Sequence, residues 1–159
     1  MTLRQRIDKL LEKFVAAILA ILVVDVLWQV ISRYVLSSPS SFTDELAGFL
    51  LIWVGLFGAA YVAGKNEHLA IDLLVQRSGP ARRKFLEIFI CICIVVFAFT
   101  VLIVGGSWLV YTRFALEVKS AALEVPLGYV YIVLPISGLL IVFFTIDNLL
   151  EFLKAQKEK

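Results

Sequence analysis

Arg33-Tyr-Val-Leu-Ser-Ser-Pro-Ser-Ser-Phe-Thr-Asp-Glu45 runs straight into the apolar stretch Leu46-Ala-Gly-Phe-Leu-Leu-Ile-Trp-Val-Gly-Leu-Phe-Gly-Ala-Ala-Tyr-Val-Ala63, and Gly64-Lys-Asn-Glu-His68 follows. The first residues close one apolar block, and Pro39 forbids its continuation as a helix. Asp44 and Glu45 then suit the positive end of a new helix, with Ser41 expected as its N-cap. The run from 46 to 63 approaches the ~20 residues that cross ~30 Å of hydrocarbon. The stretch therefore reads as a membrane hairpin, and the rest of the chain is expected to hold it in one orientation.

The wider composition agrees. The 159 residues are 61% hydrophobic and 18% charged, with a mean hydropathy of +0.94. Soluble domains intersperse their apolar residues; here the charges retreat to short segments. Four apolar blocks result, about 14–35, 46–63, 85–109 and 127–150. The expected fold is an all-α integral membrane protein, a single membrane domain over 1–159 with four transmembrane helices. Leu3, Ile7, Leu10, Leu11, Phe14 and Ile18 keep helical spacing opposite Arg4, Arg6, Lys9 and Lys13, which predicts an amphipathic lead-in. The first block is expected to act as an uncleaved signal anchor, since no small-residue cleavage site follows its core. A short interfacial segment with Leu69, Ile71, Leu73, Leu74 and Val75 is expected between helices two and three.

Asp25, Gln29 and Arg33 lie four residues apart and so share one face of the first span. An Asp near mid-bilayer costs on the order of 3 kcal/mol, so Asp25 is expected to face protein. Two uses fit that row: polar contacts to another helix or subunit, or ion coupling by Asp25. In the second span, Gly48, Gly55, Gly58 and Ala59 permit close helix approach, and Trp53 sits at mid-span rather than in an aromatic belt. Asp25, Trp28, Gln29, Arg33, Trp53, Gly55 and Gly58 are the candidate subunit interface.

Arg33 and Glu45 flank the turn and are expected to pair, the alternative being that each reaches separately to water. Gly105-Gly106 predicts a bend or a close contact in the third span, and Pro135 with Gly138 predicts a kink in the fourth. Trp108, Tyr111, Tyr129 and Tyr131 mark one membrane interface, beside a loop from Arg113 to Pro126 long enough to meet a soluble partner. Tyr34, Phe42, Glu45, Glu117 and Lys119 are candidates for docking on that side. Twelve of the fifteen Lys and Arg residues fall on the arm, the middle connection and the tail; only Arg33, Arg113 and Lys119 fall on the other side. The positive-inside rule then places both termini in the cytoplasm, and so strong a bias disfavours dual topology.

Several chemistries are excluded by inventory. A net charge of +2 offers no field for nucleic acid. One histidine, His68, cannot build a bis-histidine haem or a multi-histidine metal site, and an interfacial hydrogen-bonding role suits it. Cys91 and Cys93 point apart on a helix, cannot bridge, and are expected to be small core residues. No phosphate loop or nucleophile elbow is present. The chain is not expected to be an enzyme or to hold a cofactor.

These residues resemble a known family, the small membrane subunit (Q, or DctQ-like) of tripartite ATP-independent periplasmic (TRAP) transporters. Arg33-Tyr34, then Phe42-Thr43-Asp44-Glu45, then Trp53 with Gly58-Ala59 carry the first part of the likeness. The His68 segment carries the second, and Leu123-Glu124-Val125-Pro126 with Tyr131 and Pro135 the third. Phe42 stands where the family often has Trp, which keeps an aromatic anchor without its indole donor. The resemblance implies a scaffold subunit for a large membrane subunit (M) in the bacterial inner membrane. It further implies sodium-driven uptake of an organic acid, such as a dicarboxylate or sialic acid, delivered by a periplasmic binding protein (P). The rival reading is a self-sufficient small transporter, a parallel homo-oligomer with Asp25 as its coupling carboxylate.

Overall fold

The computed structural model describes residues 3–36, 40–65 and 80–157 of the chain. Ser37–Pro39, His68 and the expected interfacial segment over 69–75 lie outside the described residues. Helix α1 (Leu3–Tyr34) carries the amphipathic arm and the first apolar block as one rod. At 1.5 Å per residue that rod is about 48 Å long, more than the hydrocarbon is thick. Helix α2 (Ser41–Lys65) returns. Helix α3 (Pro80–Phe97) widens into a π-helical segment, Ala98–Gly105, and continues as α4 (Gly106–Ala115). After a loop come α5 (Leu127–Tyr131) and α6 (Val133–Lys157). Four helical stretches are long and apolar enough to cross a membrane: Arg4–Tyr34, Ser41–Lys65, Lys84–Ala115 and Leu127–Lys154. Among the described residues the only extended pairing is an isolated antiparallel bridge between Lys119 and Pro126.

The spans pack in the order one, two, four, three. Helix α1 packs chiefly on α2, α2 on α6, and α6 on α3 and the π segment. The result is an open row one helix thick. In lipid the apolar side chains gain little by meeting each other, so close backbone approach has to hold such a row together. A Cβ on Gly138 would lie 2.8 Å from Leu102 Cβ, and one on Gly106 would lie 2.7 Å from Leu134 Cβ. These two glycines let the third and fourth spans touch twice. Ala98 is fully buried in the same seam.

Three local expectations are corrected here. Gly138 makes a contact, not a kink; the fourth span breaks instead at Ile132, between α5 and α6. Pro135 lacks the N–H that would reach the Tyr131 carbonyl four residues back, so the helix ends there and restarts. Ser40 rather than Ser41 caps α2: its Oγ accepts from the Thr43 N–H at 3.5 Å and its carbonyl accepts from Thr43 Oγ1 at 3.0 Å. Cys91 is buried with its thiol 3.9 Å from the Thr145 carbonyl, whereas Cys93 is exposed and takes no part in a core.

Leu11, Phe57, Ala60, Val133 and Phe144 form the buried cluster where α1, α2 and α6 meet. Phe57 stands edge-on to Phe14 (5.3 Å) and to Trp53 (5.9 Å).

Candidate functional site

The buried positions of α1 are Leu11, Ile18, Asp25 and Ser32, each seven residues after the last. That spacing is the seam of a left-handed helix pair, which keeps one stripe against α2. It also separates the polar row that the sequence groups together. Asp25 is 8% exposed in the α1–α2 seam, Gln29 is half-buried beside it, and Arg33 has left the stripe, with its side chain 52% exposed. Ser32 Oγ donates back to the Gln29 carbonyl at 2.9 Å. Asp25 Oδ2 is buried and has no hydrogen-bond partner among the described residues. Trp28 is 53% exposed on the outer side of α1, with Val24, Leu27 and Ile31.

Helix α2 shows two uses for its interface candidates. A Cβ built on Gly48, Gly55 or Gly58 would meet nothing within 4 Å. Among the described residues these glycines serve no close contact, and with exposed Leu51, Ala59 and Val62 they leave a shallow face uncovered. Trp53 points the other way. Its Nε1 donates to the Val130 carbonyl at 2.9 Å, one of the carbonyls orphaned where α5 ends. The indole thus ties the second span to the fourth.

At the loop end, Glu45 is committed to residues 76 to 78 positions away. Its Oε1 accepts the Ala121 N–H at 2.9 Å, and its Oε2 accepts those of Ala122 (2.9 Å) and Leu123 (2.8 Å). Three converging amides make a small anion-binding concavity, and the carboxylate fills it. Arg33 therefore does not pair with Glu45. It lies 3.9 Å from Asp44, and both side chains are about half exposed, so the contact contributes only ~0–1 kcal/mol. The sequence places Arg33 and Glu45 on facing helix ends, but it hides the loop whose amides take the carboxylate.

The loop is shaped by two residues in the left-handed region, Glu117 (φ 48°) and Glu124 (φ 54°). Glu117 N–H donates to Phe114 O and Val118 N–H to Arg113 O, both at 3.1 Å. That pair of bonds ends α4 in a Schellman turn with a glutamate where glycine is usual. Ser120 N–H to Val125 O and Leu127 N–H to Val118 O, both 2.9 Å, close the loop below its tip. Lys119 is exposed on it, and Tyr34 and Phe42 stand exposed at the neighbouring helix ends.

The opposite end holds a cluster that sequence reasoning missed. Arg4 lies 3.0 Å from Asp147 and 2.6 Å from Glu151, and it donates to Asn148 Oδ1 and to Gly64 O (3.1 Å). Asn148 Nδ2 donates to Ala63 O at 2.8 Å, and Lys65 meets Asp8 at 2.9 Å. Arg4 and Asn148 thereby satisfy carbonyls at the C-terminus of α2, where cations are favoured. The available signal was the pair Asp147 and Glu151, one turn apart and on the same side of the membrane as the basic arm.

Four membrane-length helices, an uncovered small-residue face and a structured loop define a multi-pass helical membrane protein. The family model for the DctQ component of tripartite ATP-independent periplasmic transporters matches residues 21–155. The chain belongs to that family, which is a transporter component. It is 29% identical over 147 residues to a Haemophilus influenzae protein assigned as a TRAP transporter small permease, covering 91% of this chain and 88% of the relative. It is 22% identical over 152 residues to the sialic acid TRAP transporter small permease protein SiaQ of Vibrio cholerae, covering 96% and 86%. It is also 28% identical over 115 residues to the sialic acid TRAP transporter permease protein SiaT of Haemophilus influenzae, covering 72% of this chain but only 18% of that longer protein.

Proposed function

We propose that this chain is the scaffold subunit of a sodium-driven TRAP transporter. In this reading it associates with a large permease subunit, and a periplasmic binding protein delivers an organic acid of the dicarboxylate or sialic acid type. Both termini face the cytoplasm of a bacterial inner membrane, and the 116–126 loop faces the periplasm. One observation carries the scaffold role: among the described residues the spans contact one another in the order one, two, four, three, a row that leaves no ring of helices to enclose a passage. The uncovered Gly48, Gly55 and Gly58 face of α2 supplies a surface where another helix can come close. The SiaT relative supports the same association, because a segment like this chain is a small part of a much longer permease protein.

The test is co-expression with a large TRAP permease subunit, purification in mild detergent and reconstitution. The two chains are expected to copurify, and uptake is expected to need both together with the binding protein and a sodium gradient. Uptake by vesicles holding this chain alone would overturn the reading in favour of the homo-oligomeric transporter.

A further inference from the structure

Arg113, Phe114, Glu117, Lys119 and Pro126 line a cleft of about 310 Å³ at the loop end of the third span. Neither the α1–α2 face nor the Glu45 clamp uses it. Arg113 sits in the last turn of α4 with its guanidinium 5.9 Å from the Tyr131 ring centre, and its Nε is buried with no hydrogen-bond partner among the described residues. That nitrogen is closed off even from water, so a molecule in the cleft would meet the guanidinium through its terminal N–H groups. Lys119 adds a second, exposed cation to the lining, and Glu117 adds an exposed acidic residue. Glu117 holds a left-handed backbone conformation that a side chain ordinarily disfavours. Such an outlier is a reason to look for use of the side chain.

The depth of the cleft narrows the chemistry. Arg113 lies five residues beyond Trp108, about 7.5 Å along the helix. Trp108, Tyr111 and Tyr129 are exposed, and Tyr129 stands edge-on to Phe114 of the cleft at 5.1 Å, as suits interfacial aromatics. At that height the molecules at hand are phospholipid heads. A phosphodiester accepts from Arg113 and Lys119, and a primary ammonium a few ångströms away donates to Glu117. Two cations and one anion match a zwitterionic head better than a purely anionic one, which would meet Glu117 as a like charge.

We propose that this cleft binds the phosphoethanolamine head of a membrane lipid from the leaflet on the loop side. The site rests on the membrane-spanning architecture and not on the scaffold role, so it stands or falls separately from uptake.

The test is native mass spectrometry of the full chain, with any large subunit that copurifies, released from micelles containing equal phosphatidylethanolamine, phosphatidylcholine and phosphatidylglycerol. The wild type is expected to retain phosphatidylethanolamine. Arg113→Gln and Lys119→Gln are each expected to lower that retention about tenfold, as loss of one charge-assisted bond implies. Glu117→Gln keeps the phosphate contacts and is expected to lose only the preference for the primary ammonium over the trimethylated one. Lys119 is exposed, so its variant keeps the test open should Arg113→Gln fail to fold. Three results overturn the proposal: retention unchanged in Lys119→Gln and Glu117→Gln; competition by water-soluble phosphoethanolamine as effective as the lipid; or variants that shed a protein partner while holding lipid as before.

Discussion

The Glu45 carboxylate sits 2.8 Å from the Leu123 amide and takes two further amides of the same loop tip. One side chain at the start of the second span thereby sets the shape of the connection between the third and fourth. Glu45→Gln halves the accepting oxygens and turns an N–H₂ toward N–H donors. Amide hydrogen exchange at Ala121, Ala122 and Leu123 is expected to rise about tenfold, with the helices unaffected. Unchanged exchange at those three amides would remove the clamp from the account.

Trp53→Phe keeps the ring packing against Phe57 and deletes only the bond to Val130 O. Hydrogen bonds between membrane helices are worth about 0.6–1.7 kcal/mol. A loss of that size is expected in unfolding titrations in detergent, while Trp53→Leu, which also removes the aromatic stack, is expected to lose more.

Asp25→Asn separates the two uses of the buried acid. Insertion scales charge a central Asp on the order of 3 kcal/mol, so the amide is expected to leave the chain as stable or more so. Uptake by the assembled system is expected to persist. Loss of uptake with assembly intact would assign the orphaned Oδ2 a part in coupling.

Arg4→Gln removes the contacts to Asp147 and Glu151 and weakens the cap on Gly64. With Glu151 largely exposed, the ion pairs contribute modestly, and the total cost is expected to be about 1–2 kcal/mol. Thermal unfolding in detergent is the measurement, and raising salt should recover little of the loss if the Gly64 bond dominates.

Gly55→Leu fills a position where nothing lies within 4 Å. The isolated chain is expected to tolerate it, and copurification with the large subunit is expected to fall. A substitution that leaves association intact would move the contact surface away from α2.

The spans were legible because lipid imposes a length and a composition on every crossing, and the 46–63 run meets both. The hairpin, the acidic start of α2 and a protein-facing Asp25 could be read from one-dimensional spacing. Distant pairings could not. Glu45 has equal claims on Arg33 by proximity and on the loop by fold, and only the fold brings Ala121 to Leu123 within reach. Trp53 looked free for a partner because nothing in the sequence says that α5 stops at Tyr131 and leaves the Val130 carbonyl in need of a donor. The seven-residue stripe on α1 was present in the letters, but the four-residue row of Asp25, Gln29 and Arg33 drifts off that stripe and ends on the exposed Arg33.

A palisade of helices has two broad sides and two ends, unlike a bundle, which has a middle. Every membrane-embedded residue outside the three seams is therefore left to acyl chains or, in the proposed reading, to a companion subunit. Tolerance to polar substitution should divide the molecule into a front and a back, and the side that rejects charge less uniformly is the one that wraps its companion.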